Sequence, residues 1–258
     1  MLYSGICSIT FRQLNVDEII DLSARARIDG IEWGGDVHVP PGDVELAEKV
    51  KAKTEAAGLR ISSYGSYHRC DSESNPFSDV LESADALGAP FIRVWAGRKG
   101  SAEADPSYRD EVAEHLRRAA IAAREMDITV ALEYHGNTLT DTRASAHRLL
   151  KEVGLPDLRL FWQPRTGGDF KQDLVELEAA LPSLAHVHCF HWGKGGWNDR
   201  HPLLDGTKDW QAYLKSIRQI EGDRFVILEF VKDDSPYQFL EDAQVLNALL
   251  KEKHPESE

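Results

Sequence analysis

The chain has 258 residues, 42% of them hydrophobic and 28% charged, an ordinary globular composition long enough to bury a core without disulfides or structural metals. With 43 acidic against 30 basic residues the formal charge is −13, which repels phosphate backbones and anionic membrane surfaces and argues against a nucleic-acid partner. Three scattered cysteines (Cys7, Cys70, Cys189) without CxxC spacing, no apolar run of about 18 residues, and an opening MLYSGICSITFRQLN without a signal-peptide pattern predict a soluble, cytoplasmic protein.

In chain order, short apolar β-rich runs alternate with longer stretches of helical period. A first strand is expected over 3–9, then a helix over 16–27 that Asn15 can cap, with Ile19, Ile20 and Leu22 facing inward. Strands at 29–33 and 60–64 follow, and Gly58 closes the helix between them. A helix ending at Gly88 leads to a strand at 91–95, and Pro106, behind Asp105, opens a long helix to about 126. The second half adds strands at 128–133 and 158–162, separated by a helix that Gly154 ends, then strands at 184–189 and 225–230. Between the last two, the glycine-rich segment 193–207 is long enough to act as a lid. Eight such units with right-handed crossovers predict one domain over 1–258, a single (β/α)8 TIM barrel with a parallel eight-stranded core. The alternative, an open doubly wound sheet, lacks the GxGxxG expected after its first strand.

In a barrel, chemistry gathers where strands end and βα loops begin. Those ends carry Glu32, Trp33 and His38; Tyr64 and His68; Arg93 and Trp95; Glu133, Tyr134 and His135; Trp162 and Gln163; His186 and His188; and Glu229. Glu133, Gln163, His188 and Glu229, one from each of four successive strands, make an oxygen-rich donor set suited to Mn²⁺, Mg²⁺ or Co²⁺, with Zn²⁺ as an alternative. Of the two histidines on strand seven, one is expected to face the barrel interior, and His188, nearer the rim, is preferred. Gln163 reads equally well as a ligand or as an amide that orients one. A cation here would hold vicinal substrate oxygens and stabilise an enediolate, while Glu133 and Glu229 move protons on and off carbon. For substrate contact, His68, Arg93, His135 and His191 offer hydrogen-bond donors, and Trp33, Trp95 and Trp162 offer flat apolar faces. His38 reads as a substrate contact or a satisfied loop histidine, and Glu32 as a substrate contact or, slightly favoured, a salt bridge to Arg93.

On GIEWGGDVHVP, ALEYHG, HVHCFHWGKG and ILEF, the chain resembles the xylose-isomerase-like barrel superfamily along essentially its whole length. That superfamily contains sugar-phosphate isomerase/epimerases, ketose 3-epimerases, inosose dehydratases and endonuclease IV enzymes. The resemblance implies that Glu133, Gln163, His188 and Glu229 bind the metal, that the two glutamates form the acid/base pair, and that Lys194 contacts substrate. Gln163 stands where the family usually has Asp, and His191 where it often has Asp, so this site is less negative, which implies either an anionic substrate or a weaker hold on the metal. The expected activity is a divalent-metal-dependent isomerase or epimerase of a sugar or related polyol, EC 5 class. The alternative is a dehydratase or lyase of a keto-sugar or inosose. A non-catalytic sugar-binding subunit and an abasic-site endonuclease rank lower, and a homo-oligomer, dimer or tetramer, is expected.

Overall fold

The computed structural model describes residues 1–165 and 167–252. Among them, eight parallel strands close on themselves: β1 (Leu2–Cys7), β2 (Gly30–Gly34), β3 (Arg60–Gly65), β4 (Phe91–Val94), β5 (Thr129–Glu133), β6 (Arg159–Trp162), β7 (Leu184–Cys189) and β8 (Arg224–Leu228). β1 pairs with both β2 and β8, which leaves no open edge. Eight α-helices alternate with them: α1 (Val16–Ala26), α2 (Val44–Ala56), α3 (Phe77–Leu87), α4 (Pro106–Arg124), α5 (Arg143–Val153), α6 (Phe170–Ala180), α7 (Thr207–Ile217) and α8 (Pro236–Lys251). The alternation read from the sequence is therefore a single (β/α)8 barrel. No helix among the described residues is long and apolar enough to cross a membrane.

Local chemistry sets the boundaries. Asn15 and Glu18 form a reciprocal capping box that starts α1, and Asp105 accepts from Tyr108 N at the head of α4 with Pro106 behind it. Gly88 and Gly154 close α3 and α5 at φ of 71° and 70°, a left-handed turn that a side chain would strain. The first strand stops at Cys7, two residues earlier than expected, because Ser8–Phe11 wind into a 3₁₀ turn. The segment 193–207 is more structured than a plain loop. His191–Trp192 pair antiparallel with Arg200–His201, and 3₁₀ turns follow at Gly196–Asn198 and Leu203–Gly206.

The core has two compartments. The larger lies between the barrel and its helices and includes Ile31, Trp33, Ile92, Val94, Leu132 and Trp162. The smaller fills the barrel itself with Ala131, Phe161, Ala185, Phe225 and Ile227. This apolar plug floors the C-terminal mouth, where polar groups replace it.

Candidate active site

Strand alternation turns every second side chain into the barrel. The inward rows therefore run from Ala131 to Glu133 on β5, from Phe161 to Gln163 off β6, and from Phe225 through Ile227 to Glu229 off β8. On β7 the same period sends both His186 and His188 inward, which corrects the expectation that only one would face the interior. Depth separates them. His186 sits in the apolar plug, its ring centroid 4.7 Å from Phe91, 5.2 Å from Phe161 and 5.5 Å from Phe225. Burial there lowers its pKa to about 4 and keeps it neutral. His188, one layer nearer the mouth, is fully buried among acids.

The four residues expected to hold a metal meet around one imidazole nitrogen. His188 Nδ1 lies 3.2 Å from Gln163 Oε1, 3.6 Å from Glu133 Oε1 and 3.5 Å from Glu229 Oε2. Gln163 Nε2 donates to the Tyr134 carbonyl at 2.7 Å and to Glu133 Oε1 at 3.2 Å, which turns the amide oxygen toward the imidazole. Arg93 Nη1 and Trp95 Nε1 both donate to Glu133 Oε2. Arg93 also donates through Nε to Glu32 Oε1 at 2.9 Å, so Glu32 is the salt-bridge partner that its sequence position suggested. Gly65 makes room for this pair, since a Cβ there would stand 2.6 Å from Arg93 Nη2.

The cluster carries excess negative charge. Glu32, Glu133 and Glu229 are all buried, and among the described residues Arg93, in contact with Glu32 and Glu133, is the one permanent cation on the cluster. Burial opposes charge on every member, yet the partners prevail for three of them. Against burial, Arg93 and His188 hold Glu32 well below the usual carboxylate range and Glu133 at about 2. Against burial, Glu229 and Glu32 raise His188 to about 10. Glu229, without the guanidinium contact, is pushed up by burial and by Glu133. A dication in place of the His188 proton would balance the remaining charge, as buried charges require. The donor spacings of 3.2–3.6 Å are close to the roughly 3 Å between neighbouring ligands of an octahedral ion at about 2.1 Å. His188 Nε2 is buried without a hydrogen-bond partner. The residues present thus fit a divalent cation.

Above the cluster opens a cavity of about 580 Å³, suited to a small molecule. Glu133, Gln163, Glu229, Arg93, Trp95 and His135 all line it. His135 packs against Trp95 with centroids 4.6 Å apart and the rings tilted by 31°, and its Nδ1 lies 2.6 Å from the Gly136 carbonyl. A carbonyl only accepts, so in the neutral ring Nδ1 carries the proton and the lone pair is on Nε2. Sequence reading missed Arg12, Tyr67, Asn137, Arg165, Trp197 and Phe230, which also line the cavity. Tyr67, Asn137 and Phe230 hold φ of 58°, 58° and 48°, strain of the kind that gathers at functional sites and that no sequence motif displays.

The structure places six of the residues expected at the substrate away from the cavity. Trp162 is fully buried on the helix side of β6, against Trp210 and Tyr213 of α7. Trp33 follows inward-facing Glu32 on β2 and so faces outward, fully buried, with Nε1 on Thr54 Oγ1 of α2 at 3.2 Å. His38 is spent on Ser8 Oγ at 2.9 Å and the Leu14 carbonyl at 3.0 Å. His68 is spent on Cys70 N and the Asn75 carbonyl, both at 3.1 Å. His191 faces His201 across the small hairpin, and Lys194 is exposed at that hairpin's turn.

Residues 20–249 match the family described as xylose isomerase-like TIM barrel. A curated relative, 3-dehydroshikimate dehydratase of Bacillus anthracis, is 26% identical over 260 residues, covering 89% of this chain and 91% of that protein. The crystal structure of the probable 3-DHS dehydratase AsbF of Bacillus anthracis, involved in petrobactin synthesis, superposes with a TM-score of 0.80 at 21% identity, covering 96% of this chain and 99% of that one. A xylose isomerase-like TIM barrel protein from Mycobacterium smegmatis, solved in complex with magnesium, superposes at 0.68 with 16% identity, covering 96% and 97%. The likeness to a dehydratase over nine-tenths of both sequences overturns the expected isomerase or epimerase activity, and the EC 5 class with it, in favour of the stated alternative.

Proposed function

The chain belongs to the xylose isomerase-like TIM barrel family, and from that premise we propose that it is a dehydratase, a lyase that eliminates water from 3-dehydroshikimate or a closely related hydroxylated cyclic keto acid. The observation that carries this reading is the 26% identity with a 3-dehydroshikimate dehydratase, sustained over 260 residues. The cavity chemistry agrees with it. When bound by Glu133, Gln163, His188 and Glu229, a divalent cation supplies Lewis-acid stabilisation for charge developing on a substrate carbonyl oxygen.

The chain's own groups account for the rest. His135 Nε2, free to accept, takes the proton from the carbon next to the carbonyl. The C–OH bond on the neighbouring carbon then breaks, and the same imidazole returns its proton to the departing hydroxide, which leaves as water. Trp95 holds the imidazole by packing against it and, with Arg93, fixes Glu133. Arg93 is buried between two carboxylates, so the substrate carboxylate falls to Arg12 and Arg165, which line the cavity and keep their guanidinium groups partly exposed. Arg12 is oriented by Asp36 at 3.0 Å and itself donates to the Tyr67 hydroxyl at 2.7 Å.

Incubating the metal-loaded protein with 3-dehydroshikimate tests the reading. The product should weigh one water less and, after enolisation to an aromatic ring, should absorb in the near ultraviolet. An isomer of unchanged mass, or unreacted substrate, would overturn it.

A further inference from the structure

Cys7 ends β1 with its thiol fully buried, and no step above uses it. Its Sγ lies 3.1 Å from Glu32 Oε1. His188 Nε2 stands 3.4 Å from that same oxygen, buried and not aligned to bond with it or with anything else. Cys7, His188 and Glu229 each offer one ligand atom, and the three lie within 4.8 Å of one another. Among the described residues this is the trio that closes to that distance. Glu133, drawn toward Arg93 and Trp95, stands outside it.

We propose that Cys7 is a sulfur donor to the cation shared by His188 and Glu229, so that this barrel takes a thiophilic dication, zinc or cobalt, over magnesium. The inference rests on the metal-dependent reading above and names the class of metal. Two arguments support it. Thiolate is a soft ligand that selects zinc-like ions, whereas an all-oxygen set with one imidazole does not. An ion about 2.3 Å from sulfur and about 2.0–2.1 Å from nitrogen and oxygen sets neighbouring ligand atoms roughly 3–3.5 Å apart, within the 4.8 Å over which Cys7, His188 and Glu229 already gather. On binding, the S–H bond breaks, a sulfur–metal bond forms, and the thiol proton leaves to solvent.

The full chain, stripped by chelation, is titrated with Co²⁺ and followed by absorbance and by metal analysis after desalting. The expected result is one cobalt per chain with a sulfur-to-cobalt charge-transfer band in the near ultraviolet. That band disappears in Cys7→Ser and persists in Cys70→Ser. In competition assays, zinc affinity falls in Cys7→Ser by more than the roughly 10–100-fold that loss of an outer partner costs, while magnesium affinity is unchanged. Bound cobalt without the band, or a band that survives Cys7→Ser, overturns sulfur ligation and leaves the metal-dependent reading standing. No bound cobalt overturns both. Should Cys7→Ser fail to fold, the wild-type spectrum alone decides.

Discussion

With no cation in place, the imidazole of His188 keeps its proton up to about pH 10, because Glu229 and Glu32 outweigh the burial that opposes it. The folded value exceeds the ordinary 6.5, so the stabilisation is full below pH 6.5 and is lost as pH climbs toward 10. Thermal melts of chelated protein should therefore decline across that window. Metal affinity should rise across it, since fewer protons compete for the imidazole; a flat affinity profile would count against ligation by His188. His135 gives a second test. Replacing it by Asn should cut kcat at least about 100-fold, in the range that general acid–base catalysis supplies, while metal content stays at the wild-type level. Full activity in that variant would assign the base elsewhere. Single residues were readable where their partners are covalent neighbours or strand ends. Glu133, Gln163, His188 and Glu229 announce themselves after apolar runs. Arg12 and Tyr67 do not, because backbone turns and an ion pair with Asp36 bring them to the cavity.

At the scale of elements, period and caps carried most of the information. The capping box at Asn15 and the left-handed glycines at 88 and 154 depend only on neighbours a few residues away, so sequence displays them directly. The same rule of two would have placed Trp33 outside and both strand-seven histidines inside. Residues two apart on a strand share a face, so reading His186 and His188 as opposed ran against the period itself. The hairpin of His191–Trp192 with Arg200–His201 was beyond reach, since its strands are two residues long and pair only in the folded context. Its Trp197 lines the cavity while remaining 56% exposed, which suits a flap over bound substrate. Trp197→Ala should raise KM several-fold. Its melting should stay within roughly ±0.5 kcal/mol of wild type, as for other surface changes. Steady-state kinetics with paired melts separate that outcome from a general loss of structure.

For the whole molecule, the barrel brings together side chains from the ends of β2, β4, β5, β6, β7 and β8 that lie up to about two hundred residues apart in sequence. The architecture was legible because eight repeats of one pattern admit few closures. The reaction was not, because isomerisation and elimination begin with the same proton abstraction and use the same rim. What separates them is the leaving group, which belongs to the substrate. Chelation followed by stepwise return of metal, with loss of water from 3-dehydroshikimate as the readout, tests the account most directly. Turnover should vanish on chelation and recover in proportion to added cation, reaching its plateau at one equivalent per chain. Undiminished dehydration in metal-stripped protein, or none at any loading, would contradict it.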